Sequence, residues 1–146
     1  MNSYGPALSG AADAPIGDQR KLVMLIEDDR LHRKLFVTWL EMGGYRVHCL
    51  NDERRAHVEA VRTRPDAIIA DIRLPHIDGR DVIRQLKARD DTKHIPIIAI
   101  TVLTGREEEA SCYAVGADAF VSKSTRLAGF LDRLATVLWP DPAAPR

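Results

Sequence analysis

The stretch KLVMLIEDDRLHRKLFVTWLEMGG, residues 21–44, contains one complete unit of strand, helix and turn. Leu22 to Ile26 run continuously apolar, the pattern of a strand covered on both faces rather than on one. Asp29 then stands where a helix N-cap belongs, ahead of Leu31, Leu35, Phe36, Trp39 and Leu40 at helical spacing. Gly43 and Gly44 stop that period. Three carboxylates, Glu27, Asp28 and Asp29, crowd the joint between strand and helix.

Moving outward, the unit repeats. RVHCL (46–50) reads as a second strand and residues 53–63 as a polar, weakly amphipathic helix ended by Pro65. AIIAD (67–71) predicts a third strand, followed by a helix from Gly79 to about Ala88. IPIIAIT (95–101) is a fourth strand with a helix from about Arg106 to Val115, and DAFVS (118–122) is a fifth. A last helix carries Leu127, Phe130, Leu131, Leu134 and Leu138 on one face, and Pro140 follows it. Each parallel connection needs a crossover, so this alternation predicts an α/β fold: a doubly wound, five-stranded parallel sheet with helices on both faces. Residues 1–20, rich in Ala, Gly, Pro and Ser and without a period, read as a flexible N-terminal arm. Residues 21–139 read as the folded domain and 140–146 as a short C-terminal tail.

Composition narrows the function classes. Lys and Arg number 21 and Asp and Glu number 21, so no global field draws nucleic acid or an anionic membrane, and partners must be recognised locally. Cys49 and Cys112 match no metal-ligand spacing and read as free thiols in a reducing compartment. No apolar run approaches the ~18 residues of a membrane span, and the N-terminus has no signal-peptide pattern. The expectation is a cytoplasmic protein. His32, His48, His57, His76 and His94 are scattered without ligand spacing, which argues against zinc. Arg80, Arg84, Lys87 and Arg89 form a basic stripe interrupted by Asp81, Asp90 and Asp91, the pattern of a solvated face.

In open parallel sheets, function collects at the carboxyl ends of the strands, near the point where strand order reverses. The first strand delivers Glu27 and Asp28 there, the third Asp71, the fourth Thr101 and the fifth Lys123. Three convergent carboxylates repel unless some are protonated or a cation joins them, and a hard divalent ion with few carboxylates and several waters suits Mg²⁺. An acidic cluster completed by a hydroxyl and an ammonium is also what a phosphoryl group needs, with a carboxylate available as nucleophile. These residues point to phosphorylation of an aspartate.

The motifs LIEDD, ADIRLPHIDG, AIT and AFVSK resemble, in order and spacing, the receiver domain of bacterial two-component response regulators, over about Lys21 to Trp139. The resemblance implies a flavodoxin-like (βα)5 fold, cytoplasmic location and phosphorelay signalling rather than enzymatic turnover. It implies Asp71 as phosphoacceptor, with Mg²⁺ held by Asp28, Asp71, the backbone carbonyl of Arg73 and, through water, Glu27. Thr101 would bind the phosphoryl oxygen, Lys123 would pair with the modified aspartate, and Phe120 would be the aromatic switch that changes burial as Thr101 moves. Pro75, Asp78 and Gly79 match the loop after the acceptor strand. The implied partners are a histidine kinase or phosphotransfer protein and an unknown downstream protein target, with no direct nucleic acid contact and no membrane insertion. The short chain after Trp139 reads as a stand-alone receiver whose output runs through protein contacts, on the surface of residues 106–138.

The sequence departs from the family pattern in places. Ser124 replaces the usual proline after the lysine, which predicts a trans bond and a re-aimed Lys123. Val102 stands where a small residue is usual, predicting a tighter entry. Arg73 and Leu103 stand two residues beyond Asp71 and Thr101, where side chains overhang the site and control water. One alternative is a degenerate receiver acting as a phosphorylation-independent interaction module. A phosphohydrolase would carry a second Asp at position 73, which is Arg, and a flavin-binding domain would carry a phosphate loop that the chain lacks.

Overall fold

The computed structural model describes residues 19–141. Most of the expected arm and most of the expected tail therefore lie outside the described residues. Five strands, β1 (Leu22–Ile26), β2 (Arg46–Leu50), β3 (Ala67–Asp71), β4 (Ile97–Thr101) and β5 (Ala119–Ser122), form one sheet in the order β2-β1-β3-β4-β5. Every neighbouring pair is parallel. Strand order therefore reverses between β1 and β3, which places the switch point, and the crevice it creates, at the carboxyl ends of those two strands. Ile26 pairs with Ala70 in register, so Glu27 and Asp71 leave the sheet side by side.

Helices α1 (Arg30–Met42) and α5 (Leu127–Leu138) cover one face of the sheet. α2 (Ala56–Thr63), α3 (Gly79–Ala88) and α4 (Arg106–Ala114) cover the other. Alternate residues of each buried strand serve the two cores: Val23 and Leu25 face Phe36, Leu40, Phe130 and Leu134, while Met24 and Ile26 face Ala60, Ile83 and Leu86. Burial on both faces explains why β1, β3 and β4 are continuous apolar runs. Phe36 and Phe130 stack with ring centroids 5.3 Å apart and Trp39 lies 5.5 Å from Phe130, which ties α1 to α5.

The second helix differs from the expectation of one run over 53–63. A 3₁₀ turn occupies Glu53–Arg55 and the α-helix begins at Ala56. Asp52 causes the break, because its carbonyl accepts from Arg55 N and its carboxylate accepts from Arg54 N, both of which wind the chain more tightly than an α-helix. α2 ends as expected before Pro65, with Arg64 in the left-handed region at φ 50°.

Gly79, the first residue of α3, is required by its surroundings. A Cβ there would lie 2.1 Å from the carbonyl oxygen of Asp71. Its N–H donates to Ile72 O at 2.9 Å, so the loop of residues 72–78 folds back and closes on the end of β3. The basic stripe of α3 and its end is ion-paired, with Arg80 on Asp78, Arg84 on Asp81, Lys87 on Asp118 and Arg89 on Asp91.

Candidate functional site

The sheet brings together the residues that the strand ends promised. Glu27 is 1% exposed, whereas Asp28 next to it faces solvent. Asp29 takes the separate role expected of it: its carboxylate caps α1 by accepting from His32 N at 3.0 Å. Its own N–H donates to Glu27 Oε2 at 3.0 Å and fixes the buried carboxylate. Asp71 is 2% exposed, and its Oδ1 accepts from Arg73 N at 3.0 Å. Thr101 is fully buried, and its Oγ1 accepts from Leu103 N at 3.2 Å.

Lys123 crosses the pocket. Its Nζ lies 2.8 Å from Asp71 Oδ2 and 2.8 Å from Glu27 Oε1, with the side chain 5% exposed. Among the described residues no peptide bond is cis, so the bond before Ser124 is trans. Lys123 is nonetheless not re-aimed, which corrects the expectation drawn from the missing proline. Lys123 N donates to Thr101 O, and Ser122 Oγ takes Ser124 N at 3.1 Å, so a serine-built turn aims the lysine instead.

The electrostatics follow from burial. Desolvation pushes the Glu27 carboxyl up to about 7, the Asp71 charge adds to the rise, and the Lys123 ammonium opposes it. Burial pulls the Lys123 pKa down, but its two carboxylate partners outweigh burial and raise it. One ammonium thus faces three carboxylates. Glu27 Oε1 is buried, with the Lys123 ammonium 2.8 Å away as its partner. Glu27, Asp28 and Asp71 each offer an oxygen within 4.8 Å of the others. The excess of carboxylates over ammonium and the all-oxygen donor set fit a hard divalent cation.

Around this centre, Arg73 is exposed and lines an open cleft with Leu74, Leu103 and Glu108. Val102 is exposed at the rim rather than packed into the pocket. Phe120 on β5 is half-buried against the core under α4, one strand from Thr101. Two residues escaped the sequence reading. His32 Nδ1 lies 2.8 Å from Asp29 Oδ2 and 3.4 Å from Lys123 Nζ, so it touches the site from α1. Glu53 is a buried carboxylate that reaches the loop after Asp71. Neither signals its link to the site locally, because His32 meets Lys123 and Glu53 meets His76 only across the fold.

A sheet ordered 2-1-3-4-5, with an acidic pocket, a buried threonine and a bridging lysine at its switch point, defines a phosphoacceptor signalling domain. The family model of the response regulator receiver domain matches residues 23–135, and the chain belongs to that family. It is 34% identical over 118 residues to the polar-differentiation response regulator DivK of Brucella anthropi, covering 81% of this chain and 96% of that one. Among solved structures, it is similar to the receiver domain of a sensor histidine kinase from Pseudomonas aeruginosa that holds a magnesium ion in its active-site cleft. That match has 30% identity and a TM-score of 0.73, over 82% of this chain and 98% of the other. The chemotaxis protein CheY4 of Vibrio cholerae matches with 27% identity and a TM-score of 0.75, over 81% and 98%. Among the described residues no helix is long and apolar enough to cross a membrane.

Proposed function

We propose that Asp71 is the phosphoacceptor, taking a phosphoryl group from a phosphohistidine on a histidine kinase or phosphotransfer protein. The observation that carries the assignment is the position of Asp71, whose two oxygens are held by Arg73 N and by Lys123 Nζ beside Glu27 and Asp28. In the transfer, an Asp71 oxygen attacks phosphorus, the P–N bond breaks, and a P–O bond forms. Asp28 and Asp71, with Glu27 behind them and the Arg73 carbonyl beside them, would hold Mg²⁺, which supplies positive charge to the transferring oxygens. Lys123 is already paired with Asp71 and follows the new charge. The Thr101 hydroxyl, which accepts from Leu103 N, is free to donate its hydrogen to a phosphoryl oxygen. Movement of Thr101 toward that oxygen vacates space beside β5, which Phe120 then fills.

The output reading rests on the relatives. The match covers 96% of the DivK relative, and we infer that output here runs through protein contacts on α4, β5 and α5. Incubation with a small phosphodonor and Mg²⁺, followed by intact mass, tests the reaction. One added phosphoryl group, absent when the metal is chelated, is expected; no addition under any donor would favour a phosphorylation-independent interaction module.

A further inference from the structure

Glu53 is a carboxylate 4% exposed, in the connection after β2, a strand that supplies none of the residues Glu27, Asp28, Asp71, Thr101 and Lys123. Its Oε2 accepts from His76 N at 2.6 Å and from Ile77 N at 3.4 Å, and its Oε1 faces His76 Nδ1 at 3.2 Å. A carboxylate only accepts, so Nδ1 carries the hydrogen in this contact. Burial works against the charged form of Glu53, yet these donors outweigh it and hold the carboxyl below the ordinary range. Asp52, Glu53 and His76 offer ligand atoms within 4.8 Å of one another. However, Asp52 already takes Arg54 N, Nε and Nη2, and Glu53 is occupied as described, so the cluster is a clasp rather than an open metal site.

What the clasp holds is the loop between Asp71 and α3. That loop is pinned on its inner side by Gly79 against the Asp71 carbonyl, and on its outer side by Glu53. Between the two pins lie Arg73, Leu74 and Pro75. We propose that Glu53 is a positioning residue of the phosphoacceptor site: by fixing the His76 and Ile77 backbone, it sets where the Arg73 carbonyl is presented to the metal. The proposal rests on the reading of Asp71 as a Mg²⁺-dependent phosphoacceptor. A carboxylate that accepts from one loop at both of its oxygens limits that loop's freedom to drift, and groups that orient metal ligands govern affinity by roughly 10- to 100-fold.

The test compares the wild-type chain with Glu53→Ala, Glu53→Gln and, as a control, Glu59→Gln. Glu59 is also a buried carboxylate, but it pairs with His48, Arg55 and Arg62 and makes none of its hydrogen bonds to the loop. Calorimetric Mg²⁺ titration should show about tenfold weaker binding in Glu53→Ala, a smaller loss in Glu53→Gln, and none in Glu59→Gln. In metal-free protein, the His76 and Ile77 amides should exchange about tenfold or more faster in Glu53→Ala and remain protected in the control. Glu53→Gln keeps the side-chain volume and so answers the question even where the alanine variant fails to fold. Mg²⁺ affinity unchanged in both Glu53 variants, or weakened equally in Glu59→Gln, overturns the proposal. A wild-type chain that binds no Mg²⁺ and accepts no phosphoryl group overturns instead the reading of the site on which it rests.

Discussion

Lys123 places one ammonium 2.8 Å from Glu27 and 2.8 Å from Asp71 in a pocket whose carboxylates outnumber it. Removing it takes away the charge that opposes burial, so in Lys123→Gln the Glu27 carboxyl should titrate above the value of about 7 it has here. A carboxyl-carbon NMR titration of metal-free protein reads this directly, and an unchanged or lower midpoint would count against the bridging role. Arg73 and Leu103, two residues beyond Asp71 and Thr101, line one open cleft. We propose that Arg73 pairs with phosphoryl oxygens and Leu103 shields the acyl phosphate from water, which predicts a long-lived acyl phosphate. Arg73→Asn should therefore dephosphorylate faster, and equal decay rates would refute this. At this scale the sequence reveals what chemistry labels plainly: Asp71 after an apolar run, or Asp29 ahead of a helical period. It hides Glu53, since a glutamate before two arginines looks like any solvated helix start.

Among the elements, α3 and the loop before it are the most constrained. Gly79→Ala places a Cβ against backbone, which cannot yield as a flexible side chain would. We expect a loss of about 3 kcal/mol or more, with Asp71 displaced, measured by urea unfolding together with the phosphorylation assay. α2 carries a different load. The bond from Arg62, aided by His48 and Arg55, outweighs burial and holds Glu59 at about 2, against 4.5 for the free side chain. A carboxyl depressed by folding contributes stability that is complete above its unfolded pKa and is lost as pH falls through the folded one. The stabilisation from Glu59 is thus present above about 4.5 and drains away toward 2. Glu59→Gln should flatten that acid limb in melts taken across this window, and an unaltered limb would show that the network contributes nothing. Helix existence was legible from period and punctuation. The 3₁₀ start of the second helix was not, because it depends on which way the Asp52 carboxylate turns.

For the molecule as a whole, the topology was accessible because each strand is buried on both faces and each helix on one, so two periodicities alternate along the chain. Because all five strands are parallel, Glu27, Asp71, Thr101 and Lys123 reach one edge from positions far apart in sequence, and the strand order, with β1 beside β3, sets Glu27 next to Asp71. Contacts such as Phe36 on Phe130, or Lys123 on Glu27, emerge only from that assembly. Peptide mapping of the phosphorylated chain shows whether this edge serves to phosphorylate one aspartate. The added phosphoryl group should reside on the peptide containing Asp71, and a folded Asp71→Asn chain should acquire none. A label found on Asp28 or elsewhere, or retained undiminished in Asp71→Asn, would contradict the account.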